Sequence, residues 1–237
     1  MNDIFLTFDI DWACDAVIEH TLDILEERDI GATFFATHQT PVLERIRANK
    51  FMELGIHPNF NKTLSGEERK PYRQILDEIL KIVPEAVCER AHALTHNSLI
   101  AAELNRRGIL YDSNMYIPLS ARMPIAPFYA PSGTLTVPFF FADDIYFFHQ
   151  KERPPVEAYF AGDGLKVFDF HPIHIFLNAV SADTYQQSKA VSTDIDALKR
   201  LKNGVIYGAS DFLYDVISYG KRNLYQFHKM SEIRSEY

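Results

Sequence analysis

Apolar and polar positions fall into blocks along the first half of the chain. Ile4–Phe8 is an unbroken run of apolar or β-branched residues leading into Asp9, Asp11 and Trp12. That is the pattern of a strand buried on both faces, expected over 4–12. Ala16, Ile18, Leu22 and Leu25, with acids between them, predict an amphipathic helix to about Arg28. Gly31 ends that turn, and Ala32–Thr37 is a second buried strand. Thr40-Pro41 puts a proline at the favoured start of a helix to about Asn49. Phe51–Ile56 is a third strand, stopping at His57-Pro58, and Lys62–Lys70 is a polar loop. Pro71–Val83 repeats the helical period, and Ala86–Ala91 is a fourth strand delivering Arg90 and, just beyond, His92. Asn97 or Ser98 caps a helix to Arg107, Gly108 closes it, and Ile109–Tyr111 is a short strand reaching Asp112.

Strand and helix thus alternate with roughly 25–35 residues per unit, which predicts right-handed crossovers and a parallel sheet. From Ile117 to Pro155 the period fails: prolines and aromatics crowd the segment, and a long loop with a strand or hairpin around Leu135–Phe141 is expected. Order returns with a strand over Leu165–Ile175, a helix from about Ala182 and another over Asp194–Lys202. Val205–Tyr207 reads as a last strand, Ser210-Asp211 caps a helix to Tyr219, and the charged, aromatic segment 221–237 fits no period. With no repeat or linker, residues 1–237 are expected to form a single α/β domain.

Composition narrows the class. At 237 residues, 47% hydrophobic and 24% charged, the chain can bury a full core. A net charge of -8 excludes the basic face of a nucleic-acid binder. Cys14 and Cys88 each stand alone in an apolar context, as buried thiols in a reducing compartment. With no basic-then-apolar leader and no long apolar span, a soluble, cytoplasmic protein is expected.

The polar residues change the picture more. Asp9 and Asp11 share one strand face if the strand persists to Trp12. Two buried acids must be paired, hydrogen-bonded or metal-bound; capping the next helix needs only one of them. His57, Arg90, His92 and His171 also fall at or just past the carboxyl ends of predicted strands. In a parallel barrel those ends form one rim, where active sites sit.

The same residues carry a family resemblance. TFDID (Thr7–Asp11), ATFF (Ala32–Phe35), GIHPN (Gly55–Asn59), Arg90 and FDFHP (Phe168–Pro172) follow in order. Together they resemble the motifs of the polysaccharide deacetylases, metal-dependent carbohydrate esterases that remove acetyl groups from glycans. The chain looks closest to the branch found in O-antigen and surface-polysaccharide biosynthesis. The resemblance implies a distorted, incomplete (β/α) barrel. It implies a divalent ion on Asp11 and His57, zinc first, with cobalt, nickel or manganese as alternatives. It implies Asp9 as general base, Arg90 as its ion-pair partner and His171 as general acid.

One motif departs from the family. Its second metal histidine, four residues after the first, is here Asn61. His92, two residues beyond Arg90, is the expected third ligand, with Asn61, Asn59 and His96 as other candidates. Asp143 and Asp144 stand where the irregular segment can close the site; His174 is equally a structural residue or a site residue. The leading expectation is a hydrolase deacetylating an amino sugar, carried on a nucleotide or a lipid. Metal binding without deacetylation would indicate a hydrolase of another non-peptide C–N bond. Glycan affinity without metal would indicate an inactive relative.

Overall fold

The computed structural model describes residues 2–150 and 153–234. Its strands are β1 (Asp3–Asp9), β2 (Ala32–Ala36), β3 (Met52–Ile56), β4 (Cys88–Glu89), β5 (Tyr111–Asp112), β6 (Phe128–Tyr129), β7 (Leu135–Thr136), β8 (Phe141–Ala142), β9 (Lys166–Phe170) and β10 (Gln226–His228). The helices around them are α1 (Asp15–Glu26), α2 (Val42–Ala48), α3 (Asn61–Ser65), α4 (Tyr72–Ile82), α5 (Ser98–Arg106), α6 (Pro172–Leu177), α7 (Ala182–Lys189), α8 (Ile195–Arg200) and α9 (Ala209–Arg222). The sheet runs β6-β7-β5-β4-β3-β2-β1-β9-β8, with β10 also on β1. Every pairing is parallel except β6 with β7.

The sheet curls so that one stretch of chain reaches both of its sides. β7 lies on β5 and β8 lies on β9, yet β7 and β8 are two ends of one extended run, 135–142. Four residues, among them Pro138, separate them, tied to the sheet by the isolated parallel bridge of Phe139 to Tyr116. The result is the distorted, incompletely closed (β/α) barrel expected from the sequence. Both faces of the sheet are packed with rings, Phe5 and Phe35 on the face that looks into the barrel and Phe8, Phe34, Phe168 and Phe170 on the face toward the helices, all essentially inaccessible. At about 25 cal/mol per Å² of apolar surface, rings of this size dominate the core's stabilisation.

Several expected elements end early, each for a local reason. β1 stops at Asp9 rather than Trp12: the backbone at Asp11 is left-handed, φ 45°, and Ala13 N–H donates to the Ile10 carbonyl at 2.9 Å. The strand expected over Leu165–Ile175 stops at Phe170, because Pro172 fixes the first-turn φ of α6. The ladder expected over Ala86–Ala91 is only Cys88–Glu89. Val205–Tyr207 forms no strand; its side chains are exposed, and the Val205 and Ile206 N–H groups donate to Asn203 Oδ1. The loop expected over Lys62–Lys70 begins inside α3, which Gly66 ends at φ 80°. In place of a hairpin within 135–141, β7 pairs back onto β6 and β8 joins β9.

The segment left without period, 221–237, closes the bottom of the barrel as far as residue 234; 235–237 lie outside the described residues. β10 pairs with Asp3–Phe5 and β2 with Leu6–Asp9, so the two share one edge of β1. A side chain at Gly31 would run into the Phe227 carbonyl where β10 passes beneath β2. Met230 is fully buried, its N–H donating to Thr33 Oγ1 at 2.9 Å.

Candidate active site

The carboxyl rim of the barrel is anchored by one buried arginine. Arg90 follows β4 and is wholly inaccessible. Its NH1 donates to Thr7 Oγ1 (2.9 Å), Asp9 Oδ1 (3.1 Å) and Asp169 Oδ1 (2.5 Å). Nε and NH2 donate to the carbonyl and hydroxyl of Ser113. The Phe35 and Phe139 rings cover its two faces at 4.8 and 4.6 Å. One guanidinium therefore faces two buried carboxylates. Burial, with the neighbouring Asp9 charge, pushes the Asp169 carboxyl well above its ordinary range, although Arg90 opposes this.

Asp11, His57 and His92 converge beside this layer. Asp11 Oδ1 lies 3.4 Å from His57 Nε2 and 3.2 Å from His92 Nδ1, and the two nitrogens are 3.3 Å apart. Ligand atoms about 2.0–2.1 Å from a tetrahedral zinc ion stand roughly 3.3 Å from one another. The triangle therefore has the dimensions of three ligands of such an ion. The opposite ring nitrogen, His57 Nδ1, has no hydrogen bond and lies 3.7 Å from Asp9 Oδ2. Burial favours protonated Asp11, but bonds to His57 and His92, reinforced by the His171 and His57 charges, hold it far below the carboxylate range. The Asp11 bond raises His92.

A second group faces them. Asp143, after β8, is fully buried. Its Oδ2 accepts the His171 backbone N–H at 2.8 Å, and its Oδ1 holds Nδ1 of both His171 (2.7 Å) and His174 (2.9 Å). The three-residue spacing, on the first turn of α6 rather than in a strand, points both rings at one oxygen. His171 Nε2 is left 3.9 Å from Asp11 Oδ2. Burial lowers the His171 imidazolium, but the Asp143 charge and bond, then Asp11 and Asp169, hold it well above the ordinary range. Burial raises Asp143, but the two histidines outweigh it and keep the carboxylate ionised. Of the two acids expected to close the site, Asp143 and Asp144, only Asp143 holds the histidines; Asp144 is turned away from them. Its side chain instead caps the following π-helical turn, accepting Ile145 N–H at 2.7 Å, although it does line the cavity.

That cavity, about 330 Å³, is walled by Asp9, Asp11, Asp169, His171, Phe148 and Tyr185. A cleft of about 480 Å³ adjoins it, and Asp11, His57 and His92 line both. Trp12 stands at the junction, its Nε1 donating to the Tyr185 hydroxyl at 3.2 Å. Asn59 lines the cleft, but its Oδ1 accepts Asn61 N–H. Asn61 Oδ1 accepts the Thr95 hydroxyl, so the residue at the family's second-histidine position is engaged elsewhere. His96 belongs to a separate cluster with Glu89 and Asp112. The sequence reading does not include Thr7, Ser113 or Asp169; the signal for Asp169 is the two-residue period of β9, which puts it on the face toward the barrel just before His171.

Comparisons with known proteins identify the family and the fold. A family model described as WbmS-like, polysaccharide deacetylase, matches residues 6–189. A solved structure from Bordetella bronchiseptica, described as a polysaccharide deacetylase involved in O-antigen biosynthesis, is 36% identical. It covers 92% of this chain and 91% of its own, with a TM-score of 0.85. The catalytic domain of a peptidoglycan N-acetylglucosamine deacetylase from Eubacterium rectale shares the fold at 15% identity, TM-score 0.52, covering 98% of this chain and 89% of its own. No curated protein matches the chain.

Proposed function

Since the chain belongs to the WbmS-like polysaccharide deacetylase family, we propose that it hydrolyses the acetyl group from an amino sugar in O-antigen or surface-polysaccharide biosynthesis. The observation that carries this reading is the placement of the Asp11–His57–His92 triangle between Asp9, which Arg90 holds from behind, and His171, which Asp143 holds from behind, with the triangle, Asp9 and His171 lining one cavity.

Asp11, His57 and His92 would hold a divalent ion, their mixed oxygen and imidazole set suiting zinc and, after it, cobalt, nickel or manganese. When bound, such an ion polarises the acyl carbonyl and makes water acidic near neutral pH. The chain's own residues do the rest. Asp9, oriented by Arg90, takes one proton from the attacking water. Its oxygen bonds to the acyl carbon, and the C–N bond to the sugar breaks. His171, held protonated by Asp143, gives its proton to the departing amine. The second water proton passes from the acid product to the amine, so acetate and the ammonium form of the amino sugar leave, and proton transfer from Asp9 to His171 resets both groups.

The lining favours recognition of the sugar over a charged carrier. Lys70, the one lysine or arginine among the described residues of the cleft and cavity, is paired with Glu78. The Trp12 and Tyr185 rings offer an apolar wall of the kind a pyranose face covers. A nucleotide or lipid carrier would lie outside the cleft. Two free thiols, Cys14 and Cys88, fit a reducing, cytoplasmic setting, and no helix among the described residues is long and apolar enough to cross a membrane. Acetate release from N-acetylated sugars by the zinc-loaded protein tests the reading. Release that chelation abolishes is expected; a zinc-loaded protein that releases no acetate from any acetylated sugar overturns it.

A further inference from the structure

Glu89, His96, Asp112 and Asn114 form a second cluster on the other face of β4. Glu89 immediately precedes Arg90, so in extended chain its side chain points away from the barrel interior that Arg90 enters. It pairs in register with Asp112 of β5. Glu89 is wholly inaccessible and Asp112 nearly so. Among the described residues neither carboxylate has a lysine or arginine partner; His96 Nε2, 3.2 Å from Asp112 Oδ2, is the cluster's single basic group. Two buried carboxylates facing one imidazole leave a negative charge uncompensated, which a buried site does not tolerate without a counter-charge.

Asn114 orients the ligand atoms. Its Oδ1 accepts Ala91 N–H at 2.8 Å, which fixes the amide's direction. Its Nδ2 then donates to Glu89 Oε2 (2.7 Å) and Asp112 Oδ1 (2.8 Å). One oxygen of each carboxylate is thereby taken; the second oxygen of Asp112 faces His96 Nε2. Glu89 Oε1 has no hydrogen-bond partner at all. One ligand atom from each of Glu89, His96 and Asp112 lies within 4.8 Å of the other two.

We propose that Glu89, His96 and Asp112 bind a second divalent cation of the zinc or manganese class. Two carboxylate oxygens and one imidazole suit a borderline ion with water completing its shell. His96 is partly exposed and provides the way in. The ion's role is positional: residues 92–96 leave β4 through two left-handed residues, Ala93 and Leu94, both φ 54°. Fixing His96 to β4 and β5 holds the far end of the short segment that carries His92 into the first triangle.

Metal stoichiometry tests this independently of the catalytic reading. Protein stripped by a chelator and checked for native circular dichroism is loaded with zinc chloride alone, desalted, and its zinc measured; manganese is run in parallel. Two equivalents are expected in the wild type, and one in each of His96→Ala, Glu89→Gln and Asp11→Asn. If Glu89→Gln fails to fold, the partly exposed His96→Ala decides the matter. One wild-type equivalent that Asp11→Asn removes and His96→Ala leaves overturns the proposal, since a proton on Glu89 then supplies the counter-charge. One equivalent lost only in His96→Ala upholds it and removes the catalytic triangle instead. No bound metal overturns both.

Discussion

The rim carries two groups of identical composition, one aspartate and two histidines, arranged in opposite senses. In Asp11–His57–His92 one oxygen and two nitrogens converge at 3.2–3.4 Å, with His92 partly open to the cleft. In Asp143–His171–His174 one oxygen is shared by two Nδ1 atoms, and every contact is a hydrogen bond already made. The first group presents lone pairs to a common point, the geometry of a cation site. The second uses a carboxylate to fix ring direction and hold protons, as an orienting acid does for a catalytic histidine. Residue type therefore does not separate ligand from proton donor; the direction of the lone pairs does.

The strongest way to break that contrast is Asp11→Asn. Acetate release should fall to background, and zinc affinity at the Asp11–His57–His92 triangle should drop by more than the 10–100-fold typical of outer-shell changes. If Asp143→Asn costs the metal instead, the two groups have been assigned in reverse. Asp9→Asn should lower turnover by about 10²–10⁴-fold with zinc content near wild type; loss of zinc with activity makes Asp9 a ligand. His171→Ala should cost about 10²-fold, at the lower end of general-acid effects, without changing zinc affinity. Unchanged turnover would move the proton donor to another group.

Asp143→Asn sharpens the contrast through pH. The folded value of His171 is raised, so its protonated form persists as pH rises and is lost only on passing that raised value. Removing the Asp143 charge lowers the value, and the alkaline limb of the rate profile should move to lower pH. A limb that stays put means another group sets it. The smallest effect belongs to Asn61→Ala: its amide oxygen is occupied by Thr95, so calorimetric zinc affinity should barely change, whereas His92→Ala should lose most of it.

What the sequence disclosed was periodic. Strands rich in Phe and Ile announced β1, β2 and β3, and each ended where a charged or imidazole residue followed, so Asp9, His57, Arg90 and His171 could be set on one rim in advance. Asp169 stayed hidden because, flanked by Phe168 and Phe170, it looks like an interruption in a core strand. Only the register of Thr7 opposite Asp169 explains why Arg90 needs it. The neighbouring acids Asp143 and Asp144 were indistinguishable because the segment from 117 to 155 has no period, and a one-residue step there reverses which side chain faces inward. Asp11 reaches the site through a left-handed turn, not the strand alternation that first placed it beside Asp9.

The placement of β10 also governs how the molecule assembles. His228 sits against Asp3, 225 positions away in the chain. Because closure entropy grows only logarithmically, at about 0.6 kcal/mol per doubling of the loop, this contact costs little equilibrium stability. It costs time. Pairings of such long range slow folding and leave earlier intermediates with unpaired strand edges. A chain whose other strands have already assembled still carries an open edge on β1, beside Phe5, until its final strand arrives. Aggregation during refolding should therefore be sensitive to the 226–228 strand more than to the rim where the chemistry is done.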